Sequence, residues 1–452
     1  MIEIVSLLVC LHPALSRTTI RQLNCIGLAL LAMTGRVTML GISRWTGRRG
    51  SYRTVQRFFN TVIPWGQVFC LFFRTHLFQP DSVYLMAGDE CVVTKSGKHT
   101  HGLDRFFSSL YEKAVPGVAF FALSLVSTKQ RRSYPMRVEQ VIRTESEKAE
   151  IQARKKQRHK KRKPGSSKRK PGRPKGSKNK NKTEVTLSEE LKRIQVMVKQ
   201  LQSLVGKFLP LSYLLLDGHF GNNNALQMVR QCGVHLISKL RFDAALYFRY
   251  NGPYKGQGPH QVYGQKFNPH NIRAKFLKSV SIEKGIETRV YQAPMLHKQF
   301  AQPLNVVAIV KTHLATKRHA HVLLFSSDLE LAAEKLIDYY SLRFQIEFNF
   351  RDAKQYWGLE DFMNVAQTPV TNAANLSLFM VNVSYRLLGD FRQDNPHFSV
   401  LDLKAYYRGF KYVHETIKLL RQKPDPIVFQ NICNHVASLG SIHNSQATLT
   451  PE

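Results

Sequence analysis

The 452-residue chain carries 66 lysines and arginines against 31 aspartates and glutamates, so its formal net charge is +35. Such an excess is not typical of a metabolic enzyme. It indicates a polyanionic partner, most simply nucleic acid, with an anionic membrane surface as the main alternative. A hydrophobic content of 43% excludes wholesale disorder. The six cysteines are scattered without a C-x-x-C pair, which argues against a zinc module and against a disulfide framework.

The sequence shows no candidate membrane span. The longest apolar run covers residues 115–126, well short of the roughly 20 residues that a spanning helix needs. The first ten residues are apolar but carry Glu3 and no leading Lys or Arg, so we expect no secretory signal. These features predict a soluble, cytoplasmic protein without a membrane partner.

Residues 1–78 have helical patterns. Apolar faces recur along them, and a Gly-containing turn over residues 46–50 is followed by Ser51, which can cap a basic helix. That helix would carry Arg53 and Arg57, the first candidate DNA contacts. A helix, a turn and a basic helix are typical of a helix-turn-helix DNA-binding unit. The alternative is an ordinary helical hairpin with a solvated basic face.

From residue 79 the pattern changes to apolar strands alternating with helices, which predicts an α/β core. Two of the strands end on an acid, Asp89 after residues 83–88 and Asp217 after residues 213–216. Ligands of open α/β sheets commonly bind at the carboxyl ends of strands. Each acid taken alone has a simpler explanation, namely a turn or helix-capping residue.

The most basic window interrupts this core. Between residues 154 and 182, 16 of 29 residues are Lys or Arg and none is acidic, leaving +19 (35 − 16) on the rest of the chain. The window has no large apolar residue, so we expect it to be disordered when free and unsuited to membrane binding. Within it, Gly172-Arg173-Pro174 with basic flanks resembles an AT-hook, whose Arg173 would enter an A·T-rich minor groove. The alternative is a generic polycation.

A predicted helix over residues 336–355 carries four polar residues of complementary types. At about 100° per residue, Tyr340, Arg343, Glu347 and Lys354 fall within an arc of about 60°, with Arg351 beside them. A carboxylate among cations stays ionised and can bind a metal or form an ion pair. The alternative is a solvated charged face supported by the Arg343–Glu347 pair.

The spacing Tyr340-x2-Arg343-x3-Glu347-x6-Lys354 resembles the Y-(2)-R-(3)-E-(6)-K signature of bacterial insertion-sequence transposases. The chain looks like a DDE transposase of the insertion-sequence-four group, to which the transposon-five enzyme belongs. Asp89, in Gly88-Asp89-Glu90, and Asp217, in residues 216–220, match the first two acids of such enzymes. Strand alternation puts Asp89 and Glu90 on opposite faces, so only one of them can serve, and we favour Asp89.

The resemblance implies an RNase H-like fold, with a mixed five-stranded α/β core, a β-rich insertion domain and helical N- and C-terminal regions. It implies that Asp89, Asp217 and Glu347 bind two Mg²⁺ or Mn²⁺ ions. Tyr340, Arg343 and Lys354 would contact terminal DNA phosphates, with Arg351, Lys239 and Arg241 as further DNA contacts. The expected domains are a helical DNA-binding region at 1–78; the first part of the core at 79–242, with a basic insertion at 150–185; a β-rich insertion at 243–328; the last part of the core at 329–365; and a helical region at 366–452.

The implied activity is cut-and-paste transposition by a homodimer. The enzyme would bind terminal inverted repeats, hydrolyse the DNA strands and transfer the 3′-OH ends to target DNA, as a nucleoid-associated protein of a prokaryotic cytoplasm. Two alternatives stay open. One is a nuclease of the same fold that transfers no strands, and the other is a decayed transposase that only binds DNA.

Overall fold

The computed structural model describes residues 4–47, 50–108, 111–149, 151–153, 181–254, 256–269 and 271–443. The predicted disorder of the basic window and the placement of Arg173 fall largely outside these ranges. Within the described ranges, no helix combines the length and the apolar character that crossing a bilayer requires.

The N-terminal region is helical, as the sequence predicts. Side chains of Ser16, Thr38 and Ser51 accept hydrogen bonds from backbone N–H groups in the first turns of three of its helices, so each helix begins at a capping residue. The helices are α1 (Ile4–Leu8), α2 (Arg17–Ala32), α3 (Met39–Trp45), α4 (Tyr52–Asn60) and α5 (Trp65–His76).

A five-stranded mixed sheet forms the centre of the molecule, and it confirms the predicted core. Its strands are β1 (Tyr84–Thr94), β3 (Lys113–Ser127), β4 (Arg132–Val141), β5 (Tyr213–Leu215) and β6 (His235–Leu240). Their order is β4-β3-β1-β5-β6, in which β1 runs antiparallel to β3 and parallel to β5, and β5 runs parallel to β6. A short strand, β2 (Asp104–Ser108), also pairs with β3. The middle strands are almost wholly buried because helices cover the sheet.

The strands of residues 246–326 continue this sheet. The outer strands are β7 (Leu246–Arg249), β8 (Tyr263–Lys266), β9 (Leu277–Glu283), β10 (Ile286–His297), β11 (Leu304–His313) and β12 (His319–Ser326). Strand β12 pairs antiparallel with β6, so that Leu323 faces Leu240. Strands β11 and β10 and the remaining strands follow outward, which gives a sheet of twelve strands in the described part of the chain.

The remaining helices pack around the sheet. They are α6 (Glu189–Val205), α7 (Asn223–Gln231), α8 (Ala333–Leu342), α9 (Gln345–Tyr356), α10 (Gln367–Asp394), α11 (Val400–Ile417) and α12 (Pro426–Ser438). The long helix α10 is buried along most of its length and links the N-terminal helices to the sheet. Its Asn372 accepts a hydrogen bond from the Trp65 indole (2.8 Å), and its Asn382 donates to the Pro135 carbonyl (2.8 Å).

The single helix predicted over residues 336–355 is wrong in one respect, because it is two helices. The chain keeps right-handed helical angles at Arg343 and Phe344, but the backbone N–H groups of four residues bond to carbonyls three residues back. These four are Arg343, Phe344, Ile346 and Glu347. This tighter turn ends α8 at Leu342 and begins α9 at Gln345. Arg343 therefore lies at the junction, and Glu347 lies in the first turn of α9.

Candidate active site

Asp89 lies on β1, the middle strand of the core, where the strand changes from buried to exposed. Its Oδ1 accepts a hydrogen bond from the Glu90 N–H (2.8 Å), and its Oδ2 pairs with an Arg343 nitrogen at 3.1 Å. The side chain is 24% exposed. The pKa of Asp89 is raised to about 6, chiefly because the side chain is buried. The Glu90 N–H and Arg343 act against this rise, and the Asp217 and Glu347 carboxylates add to it. The carboxyl of Asp89 therefore takes up a proton closer to neutral pH than an ordinary aspartate does.

Asp217 follows the neighbouring strand β5. It has a local structural role, because its Oδ1 accepts from the His219 N–H (3.1 Å) and caps the short turn of residues 218–220. The Ser238 hydroxyl on β6 donates to the Asp217 carbonyl (2.7 Å) and fixes the backbone at this point. The capping role anticipated for a lone acid is thus present, and the same side chain also lines a cleft.

Glu347 comes from α9, more than a hundred residues later in the chain. Its Oε1 pairs with a second Arg343 nitrogen at 3.0 Å, which is the i,i+4 pair that the sequence suggested. Arg343 thus joins Glu347 to Asp89 with its two terminal nitrogens. The Arg343 side chain is only 15% exposed, and its Nε is buried without a hydrogen-bond partner among the described residues.

The three acids come from β1, from the turn after β5 and from α9. Arg343 pairs with the first and the last of them and lines a cleft together with Asp217. All their potential ligand atoms are carboxylate oxygens, the donor set that suits Mg²⁺ or Mn²⁺. Among the residues that the structure describes, no three His, Cys, Asp or Glu side chains stand close enough together to hold a metal ion in this conformation. The chemistry of the donor set fits such ions, and the Arg343 guanidinium places a positive charge beside Asp89 and Glu347.

A cleft of about 440 Å³ opens beside Asp217. The predicted DNA contacts Lys239, Arg241, Tyr340 and Arg343 all line it. Burial raises the pKa of Tyr340 above its usual range, so its hydroxyl stays protonated. Cations and a phenol at the mouth of an acidic site suit a substrate with a phosphate backbone.

Phe242, in the same cleft, is a residue that the sequence analysis missed. It is 71% exposed, and its carbonyl is within hydrogen-bond distance (2.9 Å) of the His321 Nε2 on β12. Its signal was available in the sequence, since it follows Arg241 directly after a core strand. An exposed aromatic ring in a cleft that cations also line is suited to stacking on a nucleobase.

Lys354 and Arg351 have protein partners here. The Lys354 ammonium donates to the Val92 carbonyl on β1 (3.1 Å) and pairs with Glu360 at 2.9 Å, so it ties α9 to the strand that carries Asp89. Arg351 pairs with Asp352 at 2.9 Å. Neither residue is among those that line the cleft.

Glu90, the rival of Asp89, has different neighbours. Burial raises its pKa, as does the Glu190 carboxylate, whereas Arg143 and Arg193 lower it. Of the three acids of the candidate site, only the adjacent Asp89 is among the charged groups that affect Glu90. The two acids thus face different surroundings, as strand alternation requires.

The two N-terminal candidates lie on α4. Arg53 and Arg57 are exposed, as are Tyr52, Gln56 and Asn60, whereas Val55 and Phe58 point into the core. The helix therefore presents one polar, basic face to solvent, beside α3.

A mixed sheet of order β4-β3-β1-β5-β6, with one acid on its middle strand, one just after the neighbouring strand and one on a later helix, defines an RNase H-like protein. The family model of the DDE superfamily endonucleases matches residues 10–292, well over half of the chain, so the protein belongs to this family. The matched part contains Asp89 and Asp217, and Glu347 lies beyond it. No curated protein matches the chain. Membership of the family supports a DNA-acting enzyme of the nuclease or transposase type that uses divalent metal ions, generally Mg²⁺ or Mn²⁺.

Proposed function

We propose that the protein is a DNA transposase of the insertion-sequence-four group, related to the transposon-five enzyme. The observation that carries the proposal is the junction of α8 and α9. Tyr340, Arg343, Glu347 and Lys354 keep the spacing of the group's signature, and Arg343 joins Glu347 to Asp89 of the core sheet.

In this proposal Asp89, Asp217 and Glu347 hold the metal ions. Two bound divalent ions would activate the attacking oxygen and stabilise the leaving oxygen of an in-line phosphoryl displacement. Lys239, Arg241 and Tyr340 hold the DNA backbone in the cleft that they line. Burial of Asp89 excludes part of the surrounding water, which strengthens every charge interaction at the site.

The recognition of DNA is proposed to lie elsewhere on the chain. Helices α3 and α4 have the order of a helix-turn-helix, and Arg53 and Arg57 on the exposed face of α4 would contact the terminal inverted repeats. Arg173 and its basic neighbours would add backbone or minor-groove affinity. The synaptic complex is proposed to be a homodimer with target DNA, acting in the prokaryotic nucleoid.

A product assay tests this function. Purified protein is incubated with Mg²⁺, a duplex carrying the DNA that flanks the gene, and a supercoiled plasmid as target. A transposase yields cut ends that are joined covalently to the plasmid. A nuclease of the same fold yields cut ends alone, and a protein that has lost catalysis binds the duplex without cutting it. Either of the last two results overturns the proposal in favour of the corresponding alternative.

A further inference from the structure

Arg343 occupies an unusual position for a residue that would contact DNA. Its guanidinium spans two of the three acids, with one terminal nitrogen 3.1 Å from Asp89 and the other 3.0 Å from Glu347. These oxygens are the atoms that the proposed function assigns to metal ions. A guanidinium cannot be deprotonated in a protein, so its positive charge stays at this place at every physiological pH.

In this conformation of Arg343, the Nε donor of the guanidinium has no acceptor within the described ranges. The Nε is buried and has no hydrogen-bond partner in the described part of the chain, although the rest of the guanidinium is paired. A buried donor without a partner is costly, especially on a charged group. The Arg343 side chain is therefore held by two ion pairs, but its third nitrogen has no hydrogen-bond acceptor among the described residues.

A second place for the guanidinium lies next to the first. Arg343 itself lines the cleft beside Asp217, together with Lys239 and Arg241. A DNA phosphate in that cleft would offer several acceptor oxygens, and arginine binds phosphate in the same forked geometry as carboxylate. The side chain therefore has two competing anionic partners, the acids of the site and the backbone of the substrate.

We propose that Arg343 is an exchangeable counter-ion of the catalytic acids. Without DNA it neutralises Asp89 and Glu347 and disfavours divalent cations. A phosphate in the cleft draws it away and opens the acids to the metal, so that metal loading is coupled to DNA binding. This inference rests on the proposed function, because it takes the acids to be the metal ligands and DNA to be the substrate.

Calcium binding, measured by isothermal titration calorimetry, tests the exchange without any catalytic turnover. The wild-type protein is compared with Arg343→Gln, which keeps hydrogen-bonding capacity but loses the charge. Removing a cation from within ion-pair distance of two ligands should tighten Ca²⁺ binding by at least about tenfold. Lys335→Gln is the matched control, since Lys335 is an exposed cation on α8 and its loss should leave the affinity unchanged. Equal affinities of wild type and Arg343→Gln would overturn the inference.

The coupling between DNA binding and metal binding is tested first on the wild-type protein, where the folding of a variant plays no part. A duplex carrying the DNA that flanks the gene should tighten Ca²⁺ binding to wild type and should change the affinity of Arg343→Gln much less. An unchanged wild-type affinity with bound duplex would also overturn the inference.

The failure of the proposed function has a different signature. If the acids are the metal site, Asp89→Asn should remove Ca²⁺ binding from the wild-type protein and from the Arg343→Gln variant. If Asp89→Asn binds Ca²⁺ as wild type does, the acids are not the ligands, and the proposed function fails together with the inference. If Asp89→Asn abolishes binding while Arg343→Gln has no effect, only the exchange role of Arg343 is lost.

Discussion

Gly88 determines how closely the strand that carries Asp89 can pack. A Cβ atom at this position would lie 2.8 Å from the Phe121 ring, 3.0 Å from Leu216 and 3.2 Å from Leu123, all of them buried side chains. Leu216 directly precedes Asp217, so a methyl group at Gly88 presses on both acid-bearing strands at once.

Gly88→Ala should therefore lower the free energy of unfolding by about 1–3 kcal/mol, the usual cost of overpacking a core. It should also slow DNA cleavage, because it displaces Asp89 relative to Asp217. Urea unfolding and a nicking assay measure the two effects.

Gly389→Ala provides the control for the same chemical change. Gly389 lies on the exposed side of α10 with nothing within 4 Å of an added Cβ, so alanine should stabilise the protein by about 0.5–1 kcal/mol. If Gly88→Ala left the free energy of unfolding unchanged, β1 and the segment after β5 could move apart without cost, which would contradict the close packing at Gly88.

The sequence indicated where candidate acids follow apolar strands, and it indicated one of the two ion pairs that Arg343 makes with them. Asp89 and Asp217 each follow an apolar run, and strand ends are places where ligands collect. The Arg343–Glu347 pair follows from helical spacing. The contact of Arg343 with Asp89 joins residues 254 positions apart, and no local pattern carries that information.

At the scale of elements, most helices and strands are where their patterns predict them. Ser51 caps α4 as expected, and the strand-helix alternation of the core is observed. The junction between α8 and α9 was missed because residues 343 and 344 keep helical angles and only the hydrogen-bond partners change. Apolar periodicity does not register such a change.

The contact between α11 and α2 gives a prediction about pH. Lys404 on α11 is buried, lies 5.0 Å from the centre of the Trp357 ring and donates to the Leu30 carbonyl near the end of α2. Burial, with a smaller contribution from the nearby Arg408, lowers the pKa of Lys404 to about 7. The unfolded chain holds this proton up to about pH 10.4, so unfolding takes up a proton between the two values.

The penalty for burying the charge is therefore complete below pH 7 and disappears as the pH rises towards 10. The free energy of unfolding of the wild-type protein should therefore gain a contribution from Lys404 as the pH rises from 7 to 10, and the Lys404→Met variant should lack this contribution. The difference in unfolding free energy between wild type and variant should change by something on the order of 3 kcal/mol between pH 6 and pH 10. Urea unfolding at the two pH values measures it, with exposed Lys335→Met as control. Parallel pH curves for wild type and Lys404→Met would contradict the assignment.

At the scale of the whole molecule, the presence of strands in residues 246–326 was predictable, whereas their arrangement was not. The β-rich character of residues 246–326 is visible in the sequence, but the pairing of β12 with β6, which makes one twelve-stranded sheet, is not. Sheet order depends on contacts between distant segments, and alternation of side chains specifies only which face of a strand is buried.

The positive charge of the molecule is divided between the basic window of residues 154–182 and the rest of the chain. Replacing the 16 Lys and Arg residues of 154–182 by Gly and Ser would leave +19 on the chain. We expect this variant to cut its own terminal DNA but to bind unrelated DNA more weakly. The slope of log affinity against log salt should fall by at least about 3, since each phosphate contact contributes about 0.9. Fluorescence anisotropy at several salt concentrations measures it, and an unchanged slope would show that the window makes no backbone contacts.

The most direct test of the central claim is metal-dependent cleavage of a duplex carrying the DNA that flanks the gene. Asp89→Asn, Asp217→Asn and Glu347→Gln are compared with Glu90→Gln, which alters the neighbouring acid on the opposite face of β1. Cleavage with Mg²⁺ or Mn²⁺ should fall by at least about a thousandfold in each of the first three, as it does when one member of a catalytic group is removed. DNA binding should persist in all four, and Glu90→Gln should cut like wild type. Full cleavage by Glu347→Gln, or loss of cleavage in Glu90→Gln with Asp89→Asn active, would contradict the assignment of the three acids.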